Sequence, residues 1–316
     1  MKKIIITTGD LDGVGYEVAA KALHRLGPQS QCLFILWRGP KTSSRFNSLL
    51  KKKFKILTTT SLDEALRLEN ISSKNIIEII SQKSPALWVE ESGKACFEGR
   101  ADAMATGPLS KPEIFRAGLK DIGHTEILKR ITGSKSAIMS FWGKHFRVLL
   151  ATGHIPVAQV ESQLTTEKLD DVLALAMKAK SALPKALAKK PIGILGLNPH
   201  AGDQGLIGKF EQEILGPWLE KQRKAGIKIE GPLVPDAAFQ KSNWSKFSFY
   251  IALYHDQGLI PFKALHGFSG VHVTLGLPLV RSSVDHGTAK DLFGKNKADP
   301  TSMVDAIKWA IQLARR

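Results

Sequence analysis

Short runs rich in β-branched and aromatic residues alternate along this chain with stretches whose apolar positions recur every three or four residues. The runs predict strands at Lys3–Thr8, Cys32–Trp37, Ala101–Thr106, Ser136–Phe141, Phe146–Thr152, Ile192–Leu197, Phe249–Tyr254 and Val271–Thr274. The longer periodic stretches predict helices at Val14–Leu26, Glu167–Ala182, Phe210–Lys224 and Thr301–Ala314. In Glu167–Ala182 the residues Leu169, Val172, Leu173 and Met177 fall on one face, which reads as a core stripe. Strands alternating with helices predict an α/β protein with a largely parallel sheet. One stretch breaks the rule: Phe141-Trp142-Gly143-Lys144-His145-Phe146 places a glycine turn between two strands and predicts a hairpin. No repeat, low-complexity tract or long flexible linker interrupts the pattern, and 316 residues suit two lobes.

Composition adds few constraints. Hydrophobic residues make up 43%, as in a globular, soluble protein. The net charge of +16 raises the question of a nucleic-acid partner. The basic residues are dispersed, with Lys51-Lys52-Lys53 as the one compact run and no aromatic–basic module, so a basic surface without nucleic acid is the expectation. No apolar run nears the ~20 residues that span a bilayer, so no membrane partner is expected. The opening MKKIIITTGD reads as a first strand rather than a secretory signal. Two widely separated cysteines, Cys32 and Cys96, point to a reducing, cytoplasmic setting.

The chemistry gathers in six segments that share a form, an apolar run followed by a glycine-containing polar loop. They end in Gly9-Asp10, Gly107-Pro108-Leu109-Ser110-Lys111, Gly153-His154, Asn198-Pro199-His200-Ala201-Gly202, His255-Asp256-Gln257-Gly258 and Asp285-His286-Gly287-Thr288. Open α/β sheets bind ligands beyond the carboxyl ends of their strands. A single histidine there is usually a structural hydrogen-bonding residue. Three of them, His154, His200 and His255, could instead offer neutral imidazoles to one divalent cation. Gly123-His124-Thr125-Glu126 precedes a helical run, which suits a phosphate or equally an ordinary helix cap by Thr125. Lys263 and Arg281 could pair with an anion, Arg281 being the better placed. The spacing Gly9–Gly15 lacks the G-x-G-x-x-G of a Rossmann dinucleotide site, and neither a G-x-S-x-G elbow nor a P-loop occurs.

The segments TGPLSK (106–111), GHTE (123–126), ATGHIPV (151–157), GLNPHAGDQG (196–205), YHDQGLIPFK (254–263) and VTLGLPLVRSSVDHGTA (273–289) resemble the 4-hydroxythreonine-4-phosphate dehydrogenase family of pyridoxal phosphate biosynthesis. The resemblance runs in order along nearly the whole chain. It implies a two-lobed fold like that of isocitrate and isopropylmalate dehydrogenases, with the active site in the interlobe cleft. The implied lobes are 1–125 with 283–316 on the cofactor side, and 126–282 for substrate, metal and dimerisation. It also implies a homodimer with a shared active site. By position it makes His154, His200 and His255 ligands of one divalent metal per subunit, with zinc, magnesium and cobalt as candidates. His124, Thr125, Lys263, His272 and Arg281 become substrate-binding residues, and His286, Gly287 and Thr288 a loop for NAD or NADP.

The implied reaction is oxidation of 4-phosphohydroxy-L-threonine to a 3-oxo acid, which loses carbon dioxide to give 3-amino-2-oxopropyl phosphate. Asp256 is read either as orienting a ligating imidazole or as contacting the substrate amine. Lys111 and Asp236 are candidate general bases. Two departures stand out. The family's first loop usually carries prolines, where this chain has Leu11-Asp12-Gly13-Val14-Gly15-Tyr16. His272 stands where an asparagine is usual. Competing readings are a dehydrogenase of a 4-phosphorylated sugar acid (threonate or erythronate), a three-histidine metal hydrolase, and a non-catalytic phosphometabolite-binding protein.

Overall fold

A computed structural model describes residues 1–41 and 43–314. They form two compact units, Met1–Ala137 with the segment from Val271 onward, and Ile138–Gly270.

The first unit is built on β1 (Lys2–Thr7), β2 (Cys32–Arg38), β3 (Lys55–Thr59), β4 (Asn75–Ile80) and β5 (Ala103–Thr106). The second holds β6 (Ile138–Trp142), β7 (Arg147–Leu150), β8 (Ile192–Leu195), β9 (Ile229–Leu233) and β10 (Tyr250–Ala252). The chain then returns to the first unit with β11 (Val271–Leu275) and β12 (Arg281–Val284).

In the first unit the strand order is β3-β4-β2-β1-β5-β12-β11. Every pairing there is parallel except β11 with β12. A parallel sheet buried on both faces needs apolar side chains on both, and β1 and β2 supply them by simple alternation. Ile4, Ile6, Phe34 and Leu36 enter one core with Val18 and Leu23 of the Gly15–Leu26 helix and Met303 and Ile307 of the Thr301–Ala314 helix. Ile5, Leu33, Ile35 and Trp37 enter the opposite core with Trp88 and Val89 of the Pro85–Phe97 helix.

The second unit has the order β6-β7-β10-β8-β9. β6 and β7 form the expected antiparallel hairpin, and β7, β10, β8 and β9 run parallel. Its core joins Phe146, Val148 and Leu150 to Tyr250, Ala252, Leu259 and Phe262.

The sheet is mostly parallel and the class is α/β, as the alternation predicts. Particular elements differ. The unit boundaries fall after Ala137 and Gly270, not after 125 and 282. The His124–Thr132 helix buries Ile127 and Leu128 in the core beside Trp88 and Val89, and β11 pairs with β12, so both segments belong to the first unit. Met177 is 40% exposed, and the buried stripe of its helix continues through Ala176 and Ala179 instead. The segment after β10 is not a strand running into a loop, because His255–His266 is helical. Gly258 lies inside that helix, where a Cβ would sit 2.9 Å from side-chain atoms of Ala252, Leu150 and Val148. The glycine lets the helix lie directly on β7 and β10.

Candidate active site

In the first unit β1, β5 and β12 are neighbours, so the loops leaving their carboxyl ends meet. Gly107 N donates to Thr7 O at 2.7 Å, Asp10 N to Pro108 O at 3.0 Å and Val14 N to Thr288 O at 3.0 Å. Ser110 N donates to Asp10 Oδ1 at 2.9 Å. Arg281 opens β12 and is 2% exposed. Its Nε and Nη2 donate to Thr106 Oγ1 at 3.2 and 2.9 Å. Its Nη1 donates to Thr274 Oγ1 at 2.9 Å and to His272 Nδ1 at 3.2 Å. Three of these four bonds go to threonine hydroxyls. Burial pushes the guanidinium pKa down to about 9, with the Glu126 carboxylate acting weakly in the other direction. The group therefore stays charged at neutral pH. A buried cation held largely by hydroxyls is an arrangement that an anion completes.

His124 stands beside it as the first residue of the His124–Thr132 helix. Its Nε2 is shielded from solvent and has no partner among the described residues. Burial, then the charge of Arg281, holds its pKa well below the usual imidazole range, while a hydrogen bond to the Gly107 backbone opposes them. The ring is neutral at neutral pH. Thr125 does not cap this helix, because the cap position is Gly123 and no side chain bonds to it. The helix terminus is left open to a ligand, as helix N-termini that take phosphate are. His272, the departure from the usual asparagine, serves as an acceptor for Arg281.

In the second unit His154, His255 and His200 follow β7, β10 and β8, three adjacent strands. The structure brings two of them together: the rings of His154 and His255 have centroids 5.3 Å apart. They line a cleft of about 230 Å³ with Tyr254 and Asp256. Asp256 Oδ1 lies 2.6 Å from His255 Nδ1, a contact that suits the tautomer with Nδ1 protonated and Nε2 free to ligate. Two such imidazoles fit two ligand positions of a divalent cation. Among the described residues, no three His, Cys, Asp or Glu side chains come together as a metal group. His200 is exposed in its own loop, in which His200, Ala201, Gly202, Asp203 and Gln204 all have positive φ.

Two residues that sequence reasoning passed over hold these loops. Glu211 is buried and accepts from Leu197 N and Asn198 N at 2.7 Å each and from Asn198 Nδ2 at 2.9 Å. Gln257 accepts from Leu253 N at 2.7 Å and donates to Gly196 O at 2.6 Å, joining the loops after β10 and β8. Gln257 lies inside the YHDQG segment, where a buried amide beside two candidate site residues was the available signal. Glu211, 13 residues beyond its partner Asn198, gave none.

Other predicted residues stand apart. Lys263 is exposed on the last turn of the His255–His266 helix. That places it about 12 Å along the axis from His255. Lys111 and Asp236 are exposed at the starts of the short helices Lys111–Arg116 and Pro235–Ala238. Among the described residues neither bonds to another predicted site residue. His286 Nδ1 lies 2.8 Å from Gly287 O, and its Nε2 is shielded without a partner among the described residues. Gly287 is exposed, and Thr288 O holds the glycine-rich loop through Val14. An open loop with an unused imidazole nitrogen fits a hydroxyl-bearing ligand such as a dinucleotide.

The architecture is shared with a beta-decarboxylating dehydrogenase from Thermococcus kodakarensis, at a TM-score of 0.54 and 15% identity over 99% of this chain and 84% of that one. That likeness defines the fold alone. A 4-hydroxythreonine-4-phosphate dehydrogenase from Klebsiella pneumoniae aligns at a TM-score of 0.79 and 27% identity, covering 100% of this chain and 98% of that one. A family model described as pyridoxal phosphate biosynthetic protein PdxA matches residues 47–310. The 4-hydroxythreonine-4-phosphate dehydrogenase of Sulfurihydrogenibium sp. is 37% identical, over 100% of this chain and 99% of the relative. The chain belongs to the PdxA family. A protein of Oceanobacillus iheyensis provisionally named a D-threonate 4-phosphate dehydrogenase is 33% identical over 98% of this chain and 97% of its own length.

Proposed function

We propose that this protein is a 4-hydroxythreonine-4-phosphate dehydrogenase, oxidising the secondary hydroxyl of 4-phosphohydroxy-L-threonine with NAD or NADP. The 3-oxo acid formed loses carbon dioxide to give 3-amino-2-oxopropyl phosphate. Within a family whose relatives carry that name, the observation that carries the reading is Arg281, a buried guanidinium held mainly by threonine hydroxyls beside an open helix terminus.

In this reading Arg281, His124 and Thr125 hold the phosphate, with Lys263 adding positive charge and His272 fixing the guanidinium. Anchoring a non-reacting end positions the carbon to be oxidised. His154 and His255 hold a divalent cation, zinc, magnesium or cobalt. When bound, it would polarise the hydroxyl and stabilise negative charge on its oxygen. Asp256 keeps His255 in the tautomer that ligation requires. The reading includes a homodimer with a shared site in the cytoplasm, and a second copy is then the source of His200 as third ligand. The His286–Thr288 loop holds the dinucleotide, which accepts the hydride. Lys111 and Asp236 remain the proposed bases.

A coupled assay with 4-phosphohydroxy-L-threonine, either dinucleotide and a metal panel tests the reading. Metal-dependent formation of NADH or NADPH is expected, and no reduction under any combination overturns it. Thr125→Val should raise KM for the phosphorylated substrate far more than for its dephospho analogue. His200→Ala should abolish turnover without loss of fold, and unchanged turnover sinks the three-histidine assignment.

A second reading is oxidation of a 4-phosphorylated sugar acid. It is favoured by the threonate-named relative and by His272 at Arg281. The same assay separates the two if threonate and erythronate 4-phosphates are run beside the amino acid.

A further inference from the structure

The first loop departs from the family pattern at Asp12, and the structure gives that residue a specific setting. Gly13 is pressed against the second loop, where a Cβ would lie 3.0 Å from Thr288 O, and Val14 N donates to that same oxygen. The glycine-rich loop and the His286–Ala289 loop therefore form one surface. Lys290, the next residue, reaches across it. Its Nζ lies 2.8 Å from Asp12 Oδ2 and 3.5 Å from Asp10 Oδ2. The two carboxylates differ. Asp10 has a side chain 1% exposed, with Oδ1 taken by Ser110 N. Asp12 is 62% exposed, with Lys290 at 41% beside it. Two carboxylates surround one ammonium, and the Arg116 guanidinium that also bears on Asp12 is paired with Glu113, so these groups together carry a net negative charge.

We propose that Asp12, positioned by Lys290, selects NAD over NADP. Its outward carboxylate accepts from the 2′-hydroxyl of the adenosine ribose and repels a 2′-phosphate. The proposal rests on reading the His286–Ala289 loop as the adenosine site. The physical logic is the general one by which an acidic side chain reads a ribose hydroxyl while a cation accommodates the 2′-phosphate. Of the two cations that bear on Asp12, Lys290 is engaged by Asp12 itself and Arg116 by Glu113. The Lys290 hydrogen bond holds the Asp12 pKa below the usual carboxylate range, so the group is ionised wherever the enzyme works.

Calorimetric titration of the full-length protein with NAD and with NADP tests this without relying on turnover. The wild type should bind NAD at least tenfold more tightly than NADP. Asp12→Asn releases Lys290 and should lower that ratio at least fivefold, chiefly by strengthening NADP. Asp12→Glu, which keeps the charge, should retain the NAD preference. Adding Lys290→Ala to Asp12→Asn should remove the gain for NADP. A wild-type ratio near one, a change of less than threefold in Asp12→Asn, or a full NADP gain persisting in the double variant overturns the proposal. A wild type that binds neither dinucleotide instead overturns the dehydrogenase reading itself, and this inference with it.

Discussion

Replacing Arg281 with methionine removes the charge while filling much of the volume. The folded state holds this guanidinium at a cost: its pKa falls from 12.5 to about 9. At ~1.36 kcal/mol per unit, that depression corresponds to about 5 kcal/mol. For a cation whose folded pKa is lowered, the penalty is fully present below the folded pKa and is relieved only as pH rises from there toward the unfolded value. It is therefore in force throughout neutral pH. Against it stand four hydrogen bonds donated by the charged group, each contributing roughly 1.5–3 kcal/mol. At the low end of that range the bonds exceed the penalty by about 1 kcal/mol. Arg281→Met should therefore be less stable than the wild type by about 1–3 kcal/mol, whereas breaking a buried ion pair costs roughly 3–5 kcal/mol. Urea denaturation measures that difference. Melting with inorganic phosphate measures the other half. Phosphate at ten times its dissociation constant should stabilise the wild type by about 1.4 kcal/mol and leave the variant unmoved. A variant that loses more than about 3 kcal/mol, or that still responds fully to phosphate, refutes the reasoning.

Glu211→Gln leaves an amide facing the Leu197 and Asn198 N–H groups, with one acceptor oxygen where there were two. Chemical denaturation should show a loss of about 2–4 kcal/mol, with weaker zinc binding by calorimetry. Gly258→Ala puts a methyl 2.9 Å from three side chains under the His255–His266 helix and should cost about 1–3 kcal/mol by the same measurement; an unchanged urea midpoint would show that the helix can lift. Burial lowers the pKa of His266, and burial together with Arg281 lowers that of His124. Their neutral forms belong to the folded state, so stability is full above the unfolded value of about 6.5 and falls as pH drops through it. The urea midpoint should be lower at pH 5.5 than at pH 7.5, and His266→Gln should flatten part of that slope.

Strands flanked by clear turn chemistry and rich in β-branched residues were legible, β1, β2 and β10 among them. β12 was hidden because Arg281-Ser282-Ser283 reads as a polar loop, although Ser282 and Ser283 lie buried between β5 and β11. β9 was hidden by Gly231-Pro232, a pair that argues against a strand except at an edge, which is where β9 lies. The helix from His255 contains both Gly258 and Pro261, two breakers that local propensity cannot overcome and packing on β7 and β10 does. At the site, the loops at strand ends could be read one by one. Which histidines meet could not, since 101 positions separate His154 from His255 and the strand order alone makes them neighbours. The ion pair at Asp12 was equally out of reach, because its partner is 278 positions away.

The order in which the ribosome delivers these pieces follows from the chain path. The first unit is interrupted by the whole of the second and resumes only at Val271. A nascent chain that has emerged as far as Gly270 holds every strand of the hairpin-bearing unit, and can fold it as a body. At that moment the sheet beginning at β1 still ends at β5, its edge bare, and Thr106 has no guanidinium to receive. Anion binding should therefore arise late in synthesis, with the last segment made, and a chain released early would be a folded fragment without affinity for phosphate.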